Sequence, residues 1–187
     1  MIYWYAVGMN TLLELQPGQL CLLVAPRRFS GKVLNAFTAH LALRGPVQVL
    51  DGGNQFDFHT IARLIRRQTA QLETTLKCVA VARAFTCYQM IALLQQQPVS
   101  AVPVLVLDLL STFCDESVPA NERLRLLDQG LEQLRRLSRP ASVIVSVSSL
   151  PEGQPTELRS MLQRLETQAG RVWRFESQVE PVQPRLF

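Results

Sequence analysis

Charged residues are scarce in this sequence, because they make up 18% of its 187 residues, whereas hydrophobic residues make up 48%. This composition excludes an intrinsically disordered chain, which needs many charges and few apolar residues. Long hydrophobic runs are also missing, since no run approaches the roughly 20 residues that a membrane-spanning helix requires. The first nine residues contain no basic side chain and no small-residue cleavage pattern, so they make a poor secretory signal. We therefore expect a soluble, cytoplasmic protein with no membrane partner.

Metal-ligating residues and lysines are few as well. Four cysteines are present without the Cys-x-x-Cys spacing of a zinc or redox site, and Cys21 and Cys78 fall in apolar runs typical of buried strands. We therefore predict neither a disulfide framework nor a metal site. Lys32 and Lys77 are the only lysines, so the basic side chains are almost all arginine. A net charge of +4 permits a nucleic-acid partner without establishing one.

Apolar runs and helical patterns alternate along the chain. The predicted strands are Leu20–Ala25, Val47–Leu50, Cys78–Val81, Val102–Leu107, Ser142–Val147 and Arg171–Phe175. The predicted helices are Lys32–Leu43, Phe58–Leu72, Tyr88–Gln96, Asn121–Leu137 and Thr156–Ala169. Because most strand runs are continuously apolar, we expect strands buried on both faces of a mainly parallel sheet. The alternation predicts a three-layer α/β fold in one domain over residues 1–176, with 177–187 as a tail or an edge strand.

The junction after the first predicted strand carries the most informative motif. A phosphate-binding loop reads GxxxxGK[ST] between a strand and a helix, and its backbone N–H groups surround the phosphates. Ser30, Gly31 and Lys32 match the end of this pattern. The first glycine is replaced by Pro26, which has no N–H, and the metal-binding hydroxyl is replaced by Val33. At this point an ordinary strand-to-helix turn explains the three matching residues equally well.

A second segment favours the phosphate-loop class. The apolar run that begins at Val104 ends in Asp108, as does the strand that holds the Mg²⁺ water in such proteins. Five segments in order then resemble the ATPase core of the RecA/RadA recombinases and their paralogs, over about residues 11 to 175. These segments are Leu12–Gly18, Val49–Phe56, Val81–Phe85, Val104–Asp108 and Ser142–Ser148. The resemblance implies a RecA-like P-loop fold with a mainly parallel central sheet.

The same resemblance shows which catalytic groups are missing. The glutamate that activates water in the family corresponds to Gly53, and the glutamine that senses the γ-phosphate falls near Ser148. The two departures in the phosphate loop add to these losses, and removal of one catalytic hydrogen-bonding group can cost about 10² or more in rate. Only Asp51 or Asp57 could move in as a replacement base. We therefore expect negligible ATP hydrolysis and no catalytic residue.

What the resemblance leaves is a degenerate nucleotide site. Its candidate residues are Arg27, Arg28, Ser30, Gly31, Lys32, Val33 and Asp108. Lys32 and Asp108 could hold ATP weakly, and the two loop arginines could replace part of the lost phosphate contacts. Because Val33 offers no oxygen ligand, we expect any ATP binding to be scarcely dependent on Mg²⁺. No other cofactor is expected.

Three interpretations of function stay open. The first is a non-catalytic RecA-like accessory protein in DNA recombination or repair, the second a divergent ATPase that uses Lys32 and Asp108, and the third an interaction module that borrows the fold. The family's DNA-binding connections correspond here to the short segments 111–120 and 150–155. Arginines on helix faces give candidate DNA contacts, which are Arg63, Arg66 and Arg67. The expected protein partner is another RecA-like subunit or a second copy. The apolar ends at 1–5 and 184–187 either anchor this partner or pack on the sheet edges of the domain itself.

Overall fold

The structure, a computed structural model, describes residues 17–150 and 156–175 of the chain. Strands and helices alternate throughout this part of the chain. The strands are β1 (Leu20–Ala25), β2 (Val47–Asp51), β3 (Val79–Arg83), β4 (Val104–Leu107), β5 (Val143–Ser148) and β6 (Arg171–Arg174). The helices are α1 (Arg27–Ala42), α2 (Phe58–Arg66), α3 (Leu72–Leu76), α4 (Cys87–Gln96), α5 (Ala120–Ser138) and α6 (Thr156–Gln168). A 3₁₀ turn over Leu109–Phe113 follows β4.

The six described strands form one parallel sheet in the order β3-β2-β4-β5-β1-β6. Between β1 and β5, Leu20 lies opposite Val143 and Ala25 lies opposite Ser148, so these two strands end level with each other. The order differs from the 3-2-1-4-5-6 arrangement of dinucleotide-binding sheets, in which β1 is flanked by β2 and β4. Here β4 and β5 separate β1 from β2.

The direction of travel along the sheet decides which face each helix covers. The chain steps one way from β1 to β2 to β3 and steps back from β3 through β4 and β5 to β6. Right-handed crossovers therefore place α1, α2 and α3 on one face and α4, α5 and α6 on the other. Alternate residues of β1 confirm this division, because Leu23 packs in the core under α1 and α2 while Leu22 packs in the core under α4, α5 and α6. The predicted three-layer α/β fold is thus confirmed, with a wholly parallel sheet.

Two details of the predicted elements are wrong. The helix predicted over Phe58–Leu72 ends at Arg66, and α3 is a separate helix. After the buried Ile65, the next positions on the core side would be Gln68 and Thr69, and these polar residues give a continued helix no apolar face to pack. Burial on both faces is also wrong for β3, where Val81 is 40% exposed. This strand lies at an edge of the described sheet and pairs only with β2.

Within the described residues, no helix combines the length and the apolar character needed to cross a membrane. Several predictions fall on residues outside the described part of the chain. They concern most of the segment Leu12–Gly18, the two apolar ends at 1–5 and 184–187, the tail 177–187 and most of the connection 150–155.

Candidate functional site

The candidate site lies where the carboxyl ends of four neighbouring strands meet. In open parallel sheets a ligand binds at the point where adjacent strands send their chains to opposite faces. The chain leaves β1 and β2 toward the face of α1 and α2, and it leaves β4 and β5 toward the opposite face. Both the β1/β5 boundary and the β2/β4 boundary therefore open a crevice at the same edge. The sequence-predicted phosphate loop and Asp108 both lie there.

At the β1–α1 junction, the predicted loop is a helix. The first helical residue is Arg27, five residues before the predicted start at Lys32. The backbone N–H groups of Phe29 and Ser30 donate to the Pro26 carbonyl oxygen at 2.8 and 3.0 Å, so the first turn closes on itself. Pro26 stands where the motif has its first glycine, and it is the N-cap residue of α1, where its missing N–H costs no hydrogen bond within the helix. As a result, Ser30 is buried within the helix and its N–H does not face a ligand.

Asp108 lies at the centre of the site. Hydrogen bonds from other residues of the chain occupy most of the acceptor positions of its carboxylate. One oxygen, Oδ1, accepts from the Ser148 backbone N–H at 2.9 Å. The other, Oδ2, accepts from the Ser148 hydroxyl at 2.9 Å and from Gln55 Nε2 at 3.0 Å. Its own N–H donates to the Ser146 hydroxyl at 2.9 Å, and the residue is 2% exposed. A carboxylate has about four lone-pair sites, so little of this one is left for a metal-bound water.

The backbone of Asp108 supports this arrangement. Its φ of 51° and ψ of 57° place it in the left-handed region, which is costly for a residue with a side chain. The hydrogen bonds to Ser146 and Ser148 on the neighbouring strand β5 hold this conformation. The aspartate is therefore oriented into the protein rather than toward an open crevice.

Gly53 lies at the position where the resemblance to the RecA family implies a catalytic glutamate, and the structure leaves no room for a side chain there. A Cβ atom added to Gly53 would lie 2.5 Å from Asp108 Cβ and 2.8 Å from Asp108 Oδ2. Cβ atoms in proteins essentially never make contacts this short, so a side chain at position 53 would force Asp108 or the backbone to shift. The Gly53 carbonyl oxygen also accepts a hydrogen bond from the Arg27 guanidinium. The chain thus lacks the glutamate, and it has also packed into the space that the glutamate would need.

Gln55 links the two sides of the crevice and was not identified from the sequence. Its Oε1 accepts from the Ser30 hydroxyl at 3.2 Å, while its Nε2 donates to Asp108. Gly31 leaves room for it, because a Cβ at that position would lie 3.0 Å from Gln55 Oε1. Its backbone is held by Asn35, whose Nδ2 donates to the Gln55 carbonyl at 2.9 Å. Ser30, Gln55, Asp108 and Ser148 form one continuous chain of hydrogen bonds, which we call the closed polar cluster.

Asp51 and Asp57, the two candidates for a replacement base, have structural roles. Asp51 is buried and accepts the backbone N–H groups of Gln55 and Phe56 at 2.9 and 3.1 Å, and Arg83 Nε lies 3.3 Å from its Oδ2. Asp57 is the N-cap of α2 and accepts the Thr60 backbone N–H at 3.0 Å. Hydrogen bonds from Thr60, first from its hydroxyl and then from its N–H, lower the pKa of Asp57. Neither carboxylate is directed at the closed polar cluster as a free base.

Of the predicted nucleotide-binding residues, the structure brings Arg27, Ser30, Gly31 and Asp108 together. The others lie elsewhere. Val33 is buried in the core below α1, whereas the side chains of Arg28 and Lys32 are exposed on the outer side of the helix. Among the described residues, no hydrogen bond or ion pair joins Lys32 to Asp108. The predicted DNA contacts, which are Arg63, Arg66 and Arg67, are exposed on or just after α2 and do not touch the cluster.

Two residues that bond to Asp108 and that sequence reasoning missed share one property. Gln55 sits in an irregular connection and Ser146 sits inside an apolar strand, so neither carries a local motif. They meet Asp108 across 53 and 38 positions of sequence, respectively. Within the described part of the chain, no group of three or more histidine, cysteine, aspartate or glutamate side chains could hold a metal ion.

Comparison with known proteins adds no family to this description. No protein-family model matches the chain, and no curated protein matches it significantly.

Proposed function

We propose that this chain is a non-catalytic RecA-like paralog, an accessory protein in DNA recombination or repair that acts by binding protein or DNA. The observation that carries the proposal is the closed polar cluster. Its carboxylate, Asp108, is satisfied by Ser148 and Gln55, and Gly53 packs against it. A hydrolytic site needs an accessible carboxylate and a positioned base at this edge. Both are absent from the described residues there.

Opening the site for ATP would require several changes at once. The first turn of α1 would have to unwind to free the N–H groups that now bond to Pro26. Gln55 and Ser148 would have to release Asp108, and removing partners from a buried charged group costs about 1.5–3 kcal/mol for each hydrogen bond. ATP binding would have to supply this free energy. Weak or absent nucleotide binding follows from that requirement.

A protein partner is the second part of the proposal. RecA-like subunits commonly associate edge to edge, and β3 is an edge strand of the described sheet. Apolar side chains are exposed beside its carboxyl end, where Phe85 is 73% exposed and Tyr88 is 49% exposed. Exposed aromatic side chains are frequent anchors of protein interfaces. These features favour another RecA-like subunit or a second copy as the partner. The cytoplasmic location of the protein stays a prediction.

The alternative, a divergent ATPase, is favoured by one observation. Lys32 lies one turn after Arg28, and both side chains are exposed and could contact phosphates from outside the closed polar cluster. A nucleotide held in this way would still lack a base and a metal-binding hydroxyl. This alternative therefore needs a rearrangement of the cluster, and it predicts that catalysis depends on Lys32.

Two measurements test the proposal. Phosphate release is measured with and without single-stranded DNA, and ATP binding is measured by isothermal titration with and without Mg²⁺. We expect phosphate release at the background level and at most weak, Mg²⁺-independent binding. Lys32→Ala is compared with Lys77→Ala, because Lys77 is the only other lysine and is also exposed. Turnover that Lys32→Ala abolishes and Lys77→Ala preserves would overturn the proposal and establish the alternative.

A further inference from the structure

The two helix layers differ in how their charges are arranged. Helices α1 and α2 carry five arginine or lysine residues and no carboxylate, whereas α5 and α6 carry six arginines and five carboxylates. Four of the five ion pairs among the described residues involve α5 or α6. Three of the six arginines of α5 and α6 thus pair with a carboxylate, whereas none of the five basic residues of α1 and α2 takes part in a described ion pair.

The unpaired charges of α2 form a stripe along its outer side. Arg63, Arg66 and the C-cap residue Arg67 are exposed, and Arg66 and Arg67 lie three and four positions after Arg63. His59 is exposed one turn before Arg63, while Ile61 on the inner side is fully buried. No carboxylate of the described residues pairs with these arginines, and Arg63 reaches only the Thr60 hydroxyl, at 3.4 Å. Like charges three and four positions apart repel each other on a helix. The stripe therefore holds positive charge that its own layer does not offset.

The end of α1 extends this stripe. Asn35 fixes the start of α2 beside the third turn of α1, because its side chain bonds to the backbone of Gln55 and Asp57. Both helices connect parallel strands on one face, so they run in the same direction, and they pack against each other. Nine residues after Asn35 comes Arg44, and nine residues after Asp57 comes Arg66. At a rise of about 1.5 Å per residue and an axial separation of about 8–10 Å, the end of α1 at Ala42, two residues before Arg44, lies about level with the last turn of α2.

Two further observations fit this placement. The pKa of His40 is lowered, first by burial and then by the charge of Arg44, so Arg44 lies close to the last turn of α1. The adjacent short helix α3 carries a single carboxylate, Glu73, and Lys77 follows it. When the carboxylates of Asp57 and Glu73 are counted against Arg44, Arg63, Arg66, Arg67 and Lys77, the local surface keeps a net positive charge.

We propose that Arg44, Arg63, Arg66 and Arg67 form a surface that binds the phosphate backbone of single-stranded DNA. This inference rests on the proposed function for its DNA partner, and it places the contact on the α1–α2 layer rather than at the carboxyl edge. Guanidinium groups bind phosphate oxygens through two parallel hydrogen bonds. Regularly spaced phosphates would offset the mutual repulsion of the four arginines.

Aromatic residues at the start of α2 favour single-stranded over duplex DNA. Phe58 is 52% exposed, and its ring meets the His59 ring edge to face with centroids 6.2 Å apart. Exposed aromatic rings beside a basic track give unpaired bases a surface for stacking. A membrane surface fits less well, because a helix that lies in lipid needs a free apolar face, and Ile61 and Ile65 of α2 are fully buried in the core.

The test compares two triple variants of the full chain that remove the same number of charges. Arg63→Gln, Arg66→Gln and Arg67→Gln remove the stripe, and a matched variant replaces Arg125, Arg139 and Arg159, which are exposed on or beside the opposite layer. Binding to a labelled single-stranded oligonucleotide is followed by fluorescence anisotropy over a range of salt concentrations. Each lost phosphate contact lowers the slope of log K against log salt by about 0.7 for single strands.

We expect the stripe variant to bind roughly tenfold or more weakly at low salt, with its slope reduced by about 2. The matched variant should keep the slope of the unchanged protein. Phe58→Ala should weaken binding to the single strand and leave both the slope and the affinity for duplex DNA unchanged. Circular dichroism confirms that each variant is folded.

Four results would overturn the inference. They are equal losses in the two triple variants, an unchanged slope in the stripe variant, the absence of any binding to single-stranded DNA, and stripe-dependent binding to phosphatidylserine vesicles in place of DNA. The non-catalytic proposal is judged separately, by phosphate release and ATP titration. DNA binding that ignores the stripe would therefore refute this surface and leave the proposed function standing.

Discussion

Replacement of Gly53 by alanine is the most direct test of the closed polar cluster. The added methyl group would lie 2.5 Å from Asp108 Cβ and 2.8 Å from Asp108 Oδ2, both far inside contact distance. Among the described glycines, positive φ values occur at Gly18 and Gly45, so backbone strain does not contribute at Gly53. Asp108 cannot simply turn away, because its carboxylate is held by Ser148 and Gln55. The methyl group must therefore shift the backbone or break these hydrogen bonds.

The expected loss of stability follows from this overpacking. Forcing an extra methyl group into a well-packed interior typically costs about 1–3 kcal/mol. For a chain of this size, each kcal/mol lowers the unfolding midpoint by about 2–4 °C. We therefore expect Gly53→Ala to unfold roughly 2–12 °C below the unchanged protein. Gly53→Glu, which introduces the residue type that the resemblance to the RecA family implies at this position, should be less stable still and should not release phosphate.

Gly170→Ala is the matched control. Gly170 is exposed, and its added Cβ would meet only the Leu20 carbonyl oxygen, at an ordinary contact distance of 3.7 Å. Such a replacement is neutral or stabilises by about 0.4–1 kcal/mol, because alanine restricts the unfolded chain. Urea denaturation followed by circular dichroism gives the free energy of unfolding for both variants. Equal stability of Gly53→Ala and Gly170→Ala would refute the close packing of Gly53 on Asp108, and with it the closed site.

Two further predictions concern the rest of the fold. Arg136 Nη2 donates to the carbonyl oxygens of Leu94 and Gln97 at 3.1 and 2.9 Å at the end of α4, so Arg136→Met should lower the free energy of unfolding by about 1–3 kcal/mol in urea. The control Arg135→Met removes only a surface contact with Gln168 and should change the free energy of unfolding by less than about 0.5 kcal/mol. Equal losses in the two variants would contradict the role of Arg136 at the end of α4. Asp57→Ala should cost about 1 kcal/mol at pH 7 through loss of the α2 cap. Hydrogen bonds from Thr60 lower the pKa of Asp57 in the folded protein. The stability difference between Asp57→Ala and the unchanged protein should therefore be complete above the ordinary aspartate pKa of 3.8, and it should shrink as the pH falls through the lower pKa of the folded state. A stability difference that persists unchanged in acid would exclude the charged cap.

Most elements could be predicted because local patterns determine them. The apolar run Leu20–Ala25 is β1 with the same bounds, and Thr156–Ala169 differs from α6 by one residue. The N-cap of α2 also depends on local sequence, because Asp57 precedes Thr60 by the three positions that an N-cap hydrogen bond requires. The predicted start of α1 was wrong because the motif at Ser30 suggested a loop, whereas the helix begins directly after Pro26.

The candidate site was predictable only in part. The sequence alone identified the positions of Asp108 and Gly53 and the absence of a glutamate between the second strand and the next helix. It could not identify Gln55 as the group that bridges Ser30 and Asp108, because that contact spans 53 positions and depends on β2 and β4 being neighbours. The sheet order that brings them together results from packing of the whole chain.

The sequence by itself determined the α/β alternation, the mildly basic charge and the absence of a glutamate between the second strand and the next helix, because each of these is a property of composition or local spacing. Only the tertiary structure decided that the crevice is filled, that β3 is exposed at an edge, and that three arginines of α5 and α6 form ion pairs while no basic residue of α1 or α2 does so among the described residues. Each of these depends on which distant residues become neighbours. The order of strands in the sheet sets those neighbours, and the packing of both helix layers stabilises that order.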